Sequence, residues 1–66
     1  MEISVNGESM QVDEDITLAA LLQRLGLAGK RVAVEVNARI VSASRHDEHR
    51  LQAGDRVEII QAIGGG

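Results

Sequence analysis

The sequence has no cysteine, phenylalanine, tyrosine or tryptophan, and only one lysine, Lys30. Without cysteine there can be neither a disulfide staple nor a thiolate metal site. Without aromatic rings the chain cannot stack nucleobases as single-strand binders do. The first fifteen residues carry five carboxylates (Glu2, Glu8, Asp13, Glu14 and Asp15) and no base, and the formal net charge is -3. Phosphate backbones are repelled by such a surface, so nucleic acid is not an expected partner. No stretch approaches the roughly 18 apolar residues of a membrane span, and the start lacks the basic and apolar regions of a signal peptide. No membrane association is expected, and the default location is the cytoplasm. A modifier that builds polymers on its own lysines would have only Lys30 to use.

What is present suits one small aliphatic domain. A chain of 66 residues buries only about 60% of the surface its unfolded form exposes, so its stability should be a few kcal/mol. Hydrophobic residues make up 44% of the sequence and are nearly all Val, Ile, Leu and Ala. That supplies a core but not a core plus a deep catalytic cleft, and an independent enzyme is not expected.

Met1, Ile3 and Val5 alternate with Glu2 and Ser4, and Met10 and Val12 alternate with Ser9 and Gln11 across Asn6-Gly7. This pattern predicts a hairpin with a two-residue turn, pairing Val5 with Glu8, Ile3 with Met10 and Met1 with Val12. Leu18, Leu21, Leu22 and Leu25 fall at helical spacing, with Thr17 placed as N-cap, Ile16 and Leu21 as a hydrophobic staple, and Gly26-Leu27 as a left-handed stop. The helix should be about two turns long. Counting from Asp13 puts Arg24 where a calcium loop needs its last carboxylate, so the acidic cluster reads instead as favourable charge at the helix N-terminus. Val32, Val34 and Val36 then alternate with Ala33, Glu35 and Asn37, predicting a strand and a second hairpin that turns near Asn37-Ala38 into Ile40-Val41. Ser42 to Arg50 reads as a polar loop with one irregular helical turn, Leu51 as a return to the core, and Gly54-Asp55 as a tight turn into a last strand, Arg56 to Ala62. In that strand Val57 and Ile59 face one way while Glu58, Ile60 and Ala62 face the other, leaving Ile60 outside. A lone exposed Ile needs no explanation, and a partner-docking surface would also account for it.

His46, Asp47, Glu48 and His49 could chelate a divalent metal through imidazoles at i and i+3. A solvated charge run accounts for the same residues, and no metal site is expected. No Ser-His-Asp arrangement stands out, because Ser42 and Ser44 lie in the same loop. The sequence ends Ile63-Gly64-Gly65-Gly66. Such glycines can be a frayed end or a linker remnant. Lacking Cβ atoms, they could equally lie extended in a channel too narrow for other residues and present a terminal carboxylate to an enzyme.

The order strand, strand, helix, strand, strand, strand, glycine tail resembles the ubiquitin-like β-grasp family. More specifically, Val34-Glu35-Val36-Asn37, the run Leu51-Gln52-Ala53-Gly54-Asp55-Arg56-Val57-Glu58-Ile59 and the ending Gln61-Ala62-Ile63-Gly64-Gly65-Gly66 are similar to the ThiS family of sulfur carriers in thiamine biosynthesis. The likeness covers essentially the whole chain. It implies an α+β fold in which a mixed sheet of about five strands packs on one main helix, with a β-grasp domain over 1–63 and a flexible glycine tail over 64–66. It further implies that an E1-like adenylating enzyme of the ThiF type uses ATP and Mg²⁺ to activate the Gly66 carboxylate. A persulfide sulfur donor then yields a thiocarboxylate, and a thiazole synthase of the ThiG type takes the sulfur. The chain itself would bind no cofactor. Gly64, Gly65 and Gly66 would enter the partner's active site, and Ile60, Ala62 and Ile63 would border the interface. The small subunit of molybdopterin synthase resembles the chain in fold and diglycine end but is usually longer and richer in aromatics, and a β-grasp interaction module with incidental glycines is a third reading. Family members often have Gly where this chain has Ala38, and a Pro where it has Ser42. An Ala forced to positive φ costs on the order of 1 kcal/mol, so this turn is expected to differ in type or length.

Overall fold

The structure, a computed structural model, describes residues 1–61. Five strands, one α-helix and one 3-10 turn follow in the order β1 (Glu2–Val5), β2 (Glu8–Gln11), α1 (Leu18–Arg24), β3 (Val32–Val36), β4 (Arg39–Val41), the 3-10 turn Ala43–Arg45, and β5 (Arg56–Gln61). The sheet order is β2-β1-β5-β3-β4. The β1 and β5 strands run parallel, and the other pairs are antiparallel. The sheet is therefore mixed, with the last strand at its centre. The expected α+β grasp of one helix by five strands is the observed architecture.

The first hairpin has the predicted register, with Val5 opposite Glu8 and Ile3 opposite Met10. Its two turn residues both have positive φ, Asn6 at 50° and Gly7 at 84°. That is the backbone that matches the strand twist in a two-residue hairpin.

In α1 the Thr17 hydroxyl oxygen accepts from Ala20 N at 3.1 Å. At the other end Gly26, at φ 75°, lets Leu27 N donate to Leu22 O at 2.8 Å and Gly26 N to Gln23 O at 3.1 Å. Both bonds of a Schellman stop are thus formed. The helix buries Leu18, Leu21 and Leu22, each worth roughly 1.5–3 kcal/mol of apolar transfer. They meet Ile3, Val34, Val36, Val57 and Ile59 from the sheet, and Leu51 and Val12 from the connections.

Three expectations are corrected. The second hairpin keeps a two-residue turn despite its alanine, pairing Val36 with Arg39 while Asn37 and Ala38 sit at φ 53° and 69°. The alanine is held in the left-handed region instead of changing the turn. The acidic cluster does not sit on the helix: no acidic residue lies in its first turn, and Asp15, at φ 63°, turns the chain before it. The free amides at the helix start go to the loop instead. Leu18 N donates to His49 O and Ala19 N to His46 O, both at 3.0 Å. Neutral main-chain carbonyls therefore satisfy these amides. Lastly, His46 is not a solvated residue. It is 8% exposed, and its Nε2 donates to Val41 O at 3.1 Å.

Candidate functional site

The stretch of interest is β5 and what surrounds its exit. Its entry is a tight turn in which Gly54 adopts φ 85° and the Asp55 carboxylate accepts from Gln52 N at 2.8 Å. From there β5 pairs with β3 from Val57, opposite Val36, to Gln61, opposite Val32. On its other side it pairs with β1 at Arg56 and Val57 only. Alternate residues therefore divide: Val57 and Ile59 are buried, while Arg56, Glu58 and Ile60 are exposed on the outer face.

Asparagine side chains hold the entry and the middle of this strand. Asn37 N donates to Arg56 O at 2.8 Å, Arg56 N donates to Asn37 Oδ1 at 3.0 Å, and Asn37 Nδ2 donates to the Asp55 carboxylate at 3.0 Å. Toward the far end Asn6 N donates to Val57 O, and Ile59 N donates to Asn6 Oδ1, each at 2.8 Å. Both asparagines are the first residues of their hairpin turns. Pattern reading found the turns but not these bonds, since nothing local links residues 53 positions apart.

Of the residues singled out from sequence, Ile60 is 59% exposed on the outer face. Ala62, Ile63, Gly64, Gly65 and Gly66 lie outside the described residues. Sequence reading missed Ile40, which is 78% exposed. Counting back from the Asn37-Ala38 turn would have found it, because Ile40 pairs with outward-facing Glu35 just as Ile60 pairs with Ala33. A shallow hollow beside Ile60 is lined by Lys30, Arg31, Val32, Ala33 and Ala43, so the exit end of the outer face is apolar with a basic border.

The His46 to His49 cluster does not assemble a site. His46 is turned under the loop, and among the described residues no three His, Cys, Asp or Glu side chains are grouped to hold a metal ion. No helix among them is long and apolar enough to cross a membrane. The arrangement offers a central, hydrogen-bonded strand that precedes the glycines in the chain, with an apolar and basic surface alongside.

Comparison with known proteins agrees with this geometry. The crystal structure of a thiamine biosynthesis protein (ThiS) from Geobacter metallireducens superposes with a TM-score of 0.84 at 33% identity, covering 100% of both chains. The sulfur carrier protein ThiS of Escherichia coli is 32% identical over 66 residues, again 100% of both chains. A thiazole synthase of Paramagnetospirillum magneticum is 39% identical over the whole of this chain. The chain spans only 20% of the length of the thiazole synthases it matches. The sequence model of the ThiS family matches residues 3–66, and the chain belongs to the ThiS family.

Proposed function

We infer that this chain is a sulfur carrier in thiamine biosynthesis, with the Gly66 carboxylate as its working group. The observation that carries this reading is that the family match runs through residue 66, so it takes in Ile63-Gly64-Gly65-Gly66. An ionised carboxylate is a very poor electrophile and must be activated before sulfur can enter. An E1-like adenylating partner of the ThiF type supplies ATP and Mg²⁺. One carboxylate oxygen attacks the α-phosphorus, pyrophosphate leaves, and an acyl-adenylate forms. The terminal sulfur of a persulfide then displaces AMP from the acyl carbon. Thiol cleavage of the resulting S–S bond leaves the thiocarboxylate, which a ThiG-type thiazole synthase uses as sulfur source.

In this reading the chain is substrate and carrier, and the chemistry belongs to its partners. Gly64 and Gly65 give the narrow profile needed to pass into a partner's active site, and β5 sets where that thread begins. Ile60, with Ala62 and Ile63, lies against the partner, and Lys30 and Arg31 beside it favour a partner surface with an acidic border. The test is a chain lacking Gly65 and Gly66. Sulfur loading should be abolished while the thermal midpoint stays within a degree or two, since deletion removes no described core contact. Loading that survives the deletion would remove Gly66 from the mechanism.

A further inference from the structure

The last bond that β5 makes on its β1 side is to a side chain. In a parallel ladder, an amide that donates across the gap is answered by a bond returned from two residues further along the partner strand. Asn6 N donates to Val57 O, so Ile59 N would ordinarily donate to the main-chain carbonyl of Asn6. At φ 50° the backbone of Asn6 has already left the strand for the hairpin. Its side-chain Oδ1 accepts from Ile59 N at 2.8 Å instead, adding one rung to a ladder whose own strand has ended.

We propose that Asn6 is a positioning residue for the reactive terminus: with the β3 ladder on the other side of the strand, its carboxamide fixes the direction in which β5 leads toward Gly66. This rests on the reading of Gly66 as the activated group. The turn alone does not account for the bond, because a two-residue hairpin needs only positive φ at this position, which glycine or aspartate also supplies. Ile59 is also the last buried residue of β5 among those described, with Ile60 and Gln61 exposed. Pairing with β3 holds β5 as far as Gln61, and five residues follow to Gly66 (66 − 61). Extended into a partner, they reach roughly 16–18 Å, so a tilt of about 15° in the end of β5 displaces Gly66 by about 4–5 Å. A displacement of that size takes a reacting group out of its productive position.

The test compares native chain with Asn6→Gly, which keeps the turn and removes the acceptor, and Asn6→Asp, which keeps both. Amide exchange at Ile59 is read by NMR against Val34 as internal reference. Adenylation by the activating enzyme is read by pyrophosphate release with the carrier as varied substrate. Asn6→Gly should speed exchange at Ile59 about fivefold and lower kcat severalfold with KM nearly unchanged, and Asn6→Asp should restore both. Unchanged exchange at Ile59 in Asn6→Gly would overturn the proposal. So would faster exchange with native kcat, which is what a purely structural bond would give, or an Asn6→Asp chain that behaves like Asn6→Gly. A native chain that releases no pyrophosphate with any adenylating partner defeats the activation reading instead, and exchange at Ile59 still decides whether the bond restrains the strand.

Discussion

The two hairpins solve the same problem with different residues. Each turns through two residues at positive φ and begins with an asparagine, but the second position is Gly7 in one and Ala38 in the other. The glycine adopts φ 84° without steric cost, whereas the alanine at φ 69° carries a penalty on the order of 1 kcal/mol. What keeps the alanine there is its neighbour. Asn37 is fixed by its own amide, by Arg56 N on its Oδ1 and by the Asp55 carboxylate on its Nδ2. Both turns are tied to β5 through an asparagine amide and a carboxamide oxygen, and the β3–β4 turn has one bond more, from Asn37 Nδ2 to the Asp55 carboxylate, where the β1–β2 turn has its glycine. Local strain is tolerated where tertiary bonds fix the geometry.

Four substitutions sharpen or break this comparison. Asn37→Ala should have the largest effect, since it removes two side-chain bonds and puts a second alanine at positive φ. A loss of about 2 kcal/mol is expected in urea unfolding, discounted because these bonds are exposed. A loss no larger than that of a typical surface substitution would mean that Asn37 does not anchor the turn. Gly7→Ala copies the second hairpin into the first. A Cβ there meets nothing within 4 Å, so the cost isolates the backbone effect and should be about 1 kcal/mol. Ala38→Gly is the reciprocal change and should stabilise by about 0.5 kcal/mol, less because glycine also loosens the unfolded chain. Destabilisation by Ala38→Gly would show that the alanine is not strained. Smallest in stability should be Ile60→Asp, within about 0.5 kcal/mol of native because the side chain is exposed. The same variant should bind the adenylating partner more weakly, and unchanged binding would make Ile60 an incidental surface residue.

Most of the fold was legible because it is written in local chemistry. Alternation around Asn6-Gly7 sets the register of the first hairpin, and Leu18, Leu21, Leu22 and Leu25 between Thr17 and Gly26 set the helix and both its ends. What escaped was decided by groups with no sequence identity or by distant partners. The helix start is satisfied by the carbonyls of His46 and His49, and a carbonyl looks the same on every residue. His46 sits among Asp47, Glu48 and Arg50 in sequence, yet the loop folds its ring inward onto Val41 O. Ile40 escaped because a three-residue strand gives too little alternation to read a face from. At the site, the exposure of Ile60 followed from the alternation of β5, and the glycines were plain in the sequence. The support from Asn6 and Asn37 was not, because each turn signal concealed a second use of the same side chain.

The central claim is that the compact body serves as the grip and the Gly66 carboxylate as the group that carries sulfur. Its most direct test is the intact mass of the chain after incubation with ATP, Mg²⁺, the adenylating partner and a persulfide donor, with fragmentation to locate any change. Exchange of one oxygen for one sulfur, confined to Gly66, is the predicted result. An unchanged mass with an active partner, or sulfur attached anywhere else in the chain, would contradict it.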